Sequence, residues 1–286
     1  MTIQFLKIAS VRPFGLLKVR NVTAWLGLVL CGSVVLVAFL APWLAPHDYT
    51  AQKLSAALRP PFWMAGGNLD YPLGTDHLGR DMLSRLMFGA RTSLLVGLGA
   101  VGISGAIGIA LGLVAGFVGG VVDEVVMRIA DIQLAFPPIL LAVAILAVTG
   151  GNLLNVILVL GVITWVQYAR VVRGSVLSIR EREFVIAARV VGATDLRIVL
   201  RHILPNVLPP VLVIATVNVS AMILAEAALS FLGIGVKPPT PAWGSMLNEG
   251  REVFRTAWWN AVFPGLAITL TVLGINLMGD HLVARR

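Results

Sequence analysis

REREFVIAARVVGATDLRIVLRHILPN, Arg180 to Asn206, is a long polar interruption in an otherwise apolar chain. With its approach it holds seven arginines, from Arg170 to Arg201. It also shows the apolar periodicity of an amphipathic helix, a break at Gly192 and a stop at Leu204-Pro205. That combination suggests a structured docking element on the cytoplasmic side. A loop whose arginines only fix topology and bind anionic lipid head groups would need neither the Ala187-Ala188 pair nor a glycine at that spacing.

The rest of the chain says what this stretch interrupts. Of 286 residues, 58% are hydrophobic and 13% charged, and the mean hydropathy is +0.90. A single soluble core cannot hide that much apolar surface, so the bilayer is the expected solvent. The net charge of +8 and the pI near 10.5 raise the question of nucleic acid. The basic residues, however, lie between uncharged runs of membrane-spanning length, so they read as a topology signal and nucleic acid is not an expected partner. Cys31 is the single cysteine and lies within an apolar run, which excludes an internal disulfide and a cysteine-based metal site. The run Asn21–Pro46 is longer than a signal-peptide core and has no clear small-x-small cleavage site, so it is expected to be an uncleaved first span.

Six crossings are expected. Residues 1–20 hold Lys7, Arg12, Lys18 and Arg20 without an acid and are placed in the cytoplasm; residues 21–286 form the transmembrane domain. Span one is Ala24–Leu44. An external segment, 47–91, follows, with an interfacial helix carrying Met82, Leu83, Leu86 and Met87 on one side. Thr92–Val122 is uncharged for 31 residues, and Gly108, Gly112, Gly116 and Gly120 recur along it every four residues as a helix-packing stripe, with a hinge or pore lining as the rival reading. The bridge Asp123, Glu124, Arg128, Asp131 is net acidic, against the positive-inside tendency. Ile132–Ala169 is uncharged for 38 residues, too long for one crossing, and turns back at Thr149–Asn152; spans three and four are Ala135–Val148 and Leu153–Tyr168. The docking stretch, 170–206, leads to span five, Val207–Leu232. A second external loop, 233–255, then leads to span six, Thr256–Gly279. Both termini fall inside, where 14 basic residues lie, against eight outside.

Catalytic chemistry is hard to find. There is no phosphate-binding Gly-x-x-x-x-Gly-Lys-Ser/Thr loop, no His-Glu-x-x-His and no serine nucleophile elbow. His47, His77, His202 and His281 stand at no metal-ligand spacing, so no metal site is expected. Glu226 is the one clearly embedded acid. It either lines a path or ties neighbouring helices together near the outer interface.

The run Glu183-Phe184-Val185-Ile186-Ala187-Ala188-Arg189-Val190-Val191-Gly192-Ala193, continuing to Ile203-Leu204-Pro205-Asn206, resembles the EAA loop of bacterial ABC-importer permeases. Ala187, Ala188, Gly192, Leu204 and Pro205 match in register, while Ile186 stands at the Glu place and His202 at the Ile place. With Glu183 three residues ahead, the variant is similar to that of the dipeptide, oligopeptide and nickel branch. Leu73–Asp81 with Ser84-Arg85 and Gly89-Ala90-Arg91 resembles the segment before the second span of its C-type subunits. Leu229–Val236 through Pro238–Pro241 and Trp243-Gly244 resembles their last external loop.

The resemblance implies an all-α membrane protein of six transmembrane helices, with the type I ABC-importer permease fold and a cytoplasmic coupling helix. It implies a non-catalytic subunit forming half of a path for short peptides, with nickel or another small solute as the alternative cargo. A stand-alone secondary transporter and a membrane scaffold are the rival classes. Implied partners are a second homologous permease, two cytoplasmic ATPase subunits or domains that hold ATP and Mg2+, an extracytoplasmic binding protein, and the lipid of a bacterial inner membrane. No cofactor is expected in this chain itself. The residues expected to couple to the ATPase are Arg182, Glu183, Ala187, Ala188, Arg189, Gly192, Ala193 and Asp195. Those expected to face the binding protein are Pro238, Pro239, Pro241 and Trp243.

Overall fold

A computed structural model describes residues 14–284, with side-chain surroundings for 22–279. Most of the expected N-terminal segment 1–20, the basic pair Arg285-Arg286 and the side chain of His281 lie outside the described residues. Among the described residues every named element is helical: α1 (Phe14–Leu44), α2 (Met82–Val118), α3 (Gly120–Leu134), α4 (Pro138–Thr149), α5 (Leu153–Ile179), α6 (Glu183–Val190), α7 (Asp195–Ile198), a π turn (Val199–Ile203), α8 (Leu204–Phe231), α9 (Trp243–Glu252) and α10 (Trp259–Ala284), plus a 3-10 turn at Leu54–Ala56. Five stretches are long and apolar enough to cross a bilayer: Val22–Leu44, Met82–Val118, Leu153–Ile179, Asp195–Phe231 and Trp259–Gly279.

The remaining crossing is broken. α3 and α4 meet at 84°, so the expected single span Ala135–Val148 is only the second half of it. At about 1.5 Å per residue, α4 alone is about 18 Å long, well short of the hydrocarbon thickness. The ends of the pair lie beside opposite ends of α5. Asp123 in α3 takes two hydrogen bonds from Arg173 near the C-terminus of α5, while Asn155 in its first turn donates to the Thr149 and Gly150 carbonyls just past α4, both at 2.9 Å. Together α3 and α4 therefore supply the sixth crossing. Pro137-Pro138 forces the break, because a proline pushes the preceding residue out of the helical region and Pro138 can then open α4.

Three further expectations need correction. The interfacial helix and span two are one helix, α2, because nothing between Arg91 and Thr92 disfavours helix. Asp81 caps it, accepting from the Ser84 N–H at 2.9 Å and the Ser84 hydroxyl at 2.6 Å. It ends at Gly119 (φ 71°) rather than Val122, and the acidic bridge that follows is itself helical. Nor does Pro205 stop the chain: Asp195–Phe231 is helical throughout. Pro205 falls in the first turn of α8, where its missing N–H costs little, and the π turn before it takes up the misfit.

The glycine stripe is a packing face, as its spacing implies. A methyl group at Gly108 would stand 2.4 Å from Tyr168 Cβ, one at Gly112 would be 2.7 Å from the Ala169 carbonyl, and one at Gly116 would be 2.8 Å from Val176 Cβ. α2 and α5 can lie this close only with bare backbone between them. Gly120 drops out of the stripe; it starts α3 at φ 56° with nothing near it. α1 and α10 make a second such approach, with Gly27 against Leu277 and Gly274 against Leu30. Of the apolar clusters that result among the described residues, two lie toward opposite ends of the molecule. One, around Val156, Val159 and Leu229, lies toward the proline-rich loop. The other, around Tyr168, Val172, Val176, Ile203 and Val207, lies toward the arginine-rich end.

Candidate functional site

At the arginine-rich end the chain leaves α5, makes the short helix α6, turns at Gly192 and re-enters through α7. The turn accounts for the alanine and glycine spacing. The Gly192 N–H bonds to the Arg189 carbonyl and the Ala193 N–H to the Ala188 carbonyl, both at 3.0 Å. This is a Schellman closure, which needs a left-handed residue, and Gly192 supplies φ +87°. Ala188 and Ala193, the residues such a closure brings into apolar contact, pack on the core beside Val185 and Ile198. Val185 is 0% exposed and pins α6 to that core. Ala188 is partly buried and helps to seat α6 on its own chain.

What the element presents outward is apolar. Val190 is 82% exposed, Val191 87% and Leu196 70%, with Phe184 and Ile186 half exposed beside them. Arg182, Glu183, Ala187, Arg189 and Asp195 are exposed around this patch, and Gly192 lies at its edge. Asp195 opens α7, where a negative charge meets the positive end of a helix. The sequence pointed to the alanines; the exposed valines and Leu196 were missed because apolar residues in an apolar chain carry no contrast.

The approach is braced by the acidic bridge that had looked like a topology exception. Arg170 bonds Asp131 at 2.6 Å, Arg173 chelates Asp123, and Arg180 donates to the Gly116 carbonyl at 2.9 Å. Three of the seven arginines thus tie α5 to α3 and to the end of α2. Arg182, Arg189, Arg197 and Arg201 remain exposed on the docking element.

At the opposite end, residues 45–81 fold over the helix ends and are locked to α9 by charge. Asp76 accepts from Arg80 Nε at 2.6 Å and from the Arg80 backbone N–H at 2.9 Å, and pairs with Arg85. Glu249 accepts from Arg80 at 2.9 Å and from Arg85 at 2.8 Å. Burial opposes ionisation of Asp76, but the charges of Arg85 and Arg80 and the hydrogen bonds from Arg80 together hold its carboxyl below the usual carboxylate range. The sequence marked Asp76, Arg80 and Arg85 by resemblance alone and offered no sign of Glu249 as their partner. Asp76, His77 and Glu249 come within 4.8 Å of one another, a grouping the histidine spacing concealed. Two guanidinium groups already occupy both carboxylates, which suits a structural lock better than a cation site.

The expected binding-protein loop divides. Pro238 and Pro239 are exposed, whereas Pro241 and Trp243 are buried. Trp243 is 2% exposed; its indole N–H donates to the Leu86 carbonyl at 3.0 Å, and its ring lies against Gly89. It anchors the loop to α2 rather than presenting itself to a partner. Glu226, 0% exposed, accepts from Ser230 at 2.6 Å and from Ser93 at 3.4 Å. The Ser230 hydroxyl also receives the Val236 N–H at 3.1 Å, so the acid ties α8, α2 and the proline-rich loop together.

The comparisons agree with this geometry. Residues 108–285 match the family of binding-protein-dependent transport system inner membrane components. Residues 19–61 match the N-terminal transmembrane domain of oligopeptide transport permease C. The chain is 47% identical over 256 residues to the di/tripeptide transport system permease protein DppC of Pseudomonas aeruginosa, covering 90% of this chain and 84% of that one. It is 48% identical over 263 residues to the dipeptide transport system permease protein DppC of Escherichia coli K12, covering 92% and 88%. Among solved structures, an inward-facing MetNI methionine ABC transporter aligns with TM-score 0.59 over 71% of this chain and 97% of that one, at 22% identity, a likeness of fold. A helical frame of five long apolar helices and one broken crossing, together with these matches, makes the chain a multi-pass inner-membrane permease subunit of the ABC importers, a member of the binding-protein-dependent transport family.

Proposed function

We propose that the chain forms half of the translocation path of an ATP-driven importer of short peptides. α6 and α7 are the element by which a cytoplasmic ATPase grips it. The observation that carries this reading is the exposed apolar patch of Val190, Val191 and Leu196 on a helix pinned to the core by Val185. Apolar surface at a polar end of a membrane protein calls for a protein partner. Because α6 rides on the ends of α5 and α8, a push on it reaches the crossing helices as a rigid-body movement.

The remaining partners follow from the same reading: a second homologous permease, two ATPase subunits or domains that hold ATP and Mg2+, and an external binding protein seated near Pro238 and Pro239. The excess of basic residues around the docking element supports placing it, with both termini, in the cytoplasm. Short peptides are the favoured cargo because the relatives of high identity are named for di- and tripeptide transport. Uptake of labelled di- and tripeptides, measured against nickel in a strain lacking this chain, tests the reading. Loss of peptide uptake with restoration by the gene is expected. Intact peptide uptake with lost nickel uptake would contradict it.

A further inference from the structure

One face of α5 carries polar groups from mid-span, at Thr164 and Gln167, out to the arginine-rich end, at Ser175 and Ser178. Thr164, Gln167, Val171, Ser175 and Ser178 follow one another at steps of three and four residues, which places them in one stripe; Gln167 and Ser178 are exposed and the others partly so. Gln167 stands near the middle of α5, and its Oε1 accepts from Asn218 Nδ2 of α8 at 3.3 Å. Thr164 lies against Met222 of α8 at 3.6 Å. The stripe therefore runs along the seam of α5 and α8, from mid-span toward the arginine-rich end.

Part of its hydrogen-bonding capacity is unmet, although the Thr164 hydroxyl donates to the Leu160 carbonyl at 2.7 Å. The Gln167 NH2 group and the hydroxyls of Ser175 and Ser178 bond to no other described residue. In hydrocarbon such groups are costly, and a face of this kind is not turned to lipid. On the opposite side of the same helix Leu158 and Val162 are exposed, Val162 at 49%, and suited to an apolar neighbour.

We propose that this stripe lines the aqueous path, and that the exposed carboxamide of Gln167, held from behind by the buried Asn218, forms a contact point for the backbone amides of a passing peptide. The inference rests on the peptide reading above. Chemistry favours a backbone contact: carboxamides donate to and accept from peptide groups in any sequence, and the stripe holds no charge to bind either terminus of a zwitterion tightly. Passage needs contacts good enough to admit cargo and weak enough to release it, which uncharged amides and hydroxyls provide. The one embedded acid, Glu226, is buried in structural hydrogen bonds and stands apart from the stripe.

The test uses the complete importer, reconstituted with its binding protein and partner subunits, in a Cys31→Ser background. Gln167→Cys, Ser175→Cys and Val162→Cys are each exposed to a membrane-impermeant thiosulfonate. Gln167→Cys and Ser175→Cys are expected to react about tenfold or more faster than Val162→Cys, because the reactive thiolate forms in water and not in lipid. Saturating dipeptide with ATP and binding protein should slow the reaction at Gln167→Cys. Equal or negligible labelling at all three positions, as follows if the stripe is sealed against another polypeptide, overturns the proposal. Fast labelling with no dipeptide protection overturns the peptide contact alone. Failure of the peptide reading itself shows separately, as an unaltered complex that takes up no dipeptide.

Discussion

At the scale of single residues, the outer charge lock makes the sharpest prediction. Arg85 bonds both Asp76 and Glu249, so Arg85→Ala leaves two carboxylates short of a partner in a buried setting. Because Arg80 still bonds both acids, the loss stays below the roughly 3–5 kcal/mol of a fully uncompensated buried charge, and a thermal unfolding series in detergent will detect it. Asp76 adds a pH dependence with a definite sign. Its carboxyl is held below the ordinary value near about 3.9. The stability it contributes is therefore fully present above that value and is lost as pH falls through the lowered one. The wild type should lose melting temperature on acidification below about pH 4, and Asp76→Asn, already weakened at neutral pH, should lose less over the same interval. Equal acid sensitivity of the two would refute the assignment.

At the scale of elements, close helix packing and helix continuity can be tested separately. Gly108→Leu places a side chain where even a methyl would be 2.6 Å from the Trp165 carbonyl. α2 and α5 must then separate, and the expected result is loss of monodisperse protein in size-exclusion chromatography. Pro205→Ala should change stability by less than about 1 kcal/mol, since the π turn before it already accommodates the missing N–H. A severe loss would mean that the proline is a stop after all.

These elements also show what the sequence carried. The four-residue glycine period was legible because close approach leaves bare backbone in the chain itself. The buried role of Trp243 was not, because it depends on the Leu86 carbonyl, distant in sequence; for Glu226 the helix tie was one of two readings, but its partner Ser93 was not visible. The broken third crossing was hidden because an acidic helix and an apolar half-helix read separately as a bridge and a span. In the docking stretch the helix and glycine turn were readable from spacing. The inward direction of Ala188 was not, since periodicity gives an element's faces and not which of them the rest of the fold covers.

At the scale of the molecule, the chain is a frame with two differently built ends, and the proposed ATPase contact lies at one of them. The end around α9 is locked by buried charge, and the arginine-rich end carries an exposed apolar patch on a helix seated on α5 and α8. Gly192→Val tests how firmly that helix is set. A β-branched residue at φ +87° costs about 1–2 kcal/mol locally, so membrane insertion should survive while binding-protein-stimulated ATP hydrolysis by the assembled complex falls.

The most direct measurement is peptide uptake by the reconstituted complex carrying Val190→Glu with Leu196→Glu. Both side chains are more than two-thirds exposed, at 82% and 70%, so the permease itself should fold and insert normally. Loss of ATP-driven uptake, with ATPase subunits that no longer co-purify or no longer respond to loaded binding protein, is the predicted result. Uptake at the wild-type rate with the ATPase fully bound would contradict the account.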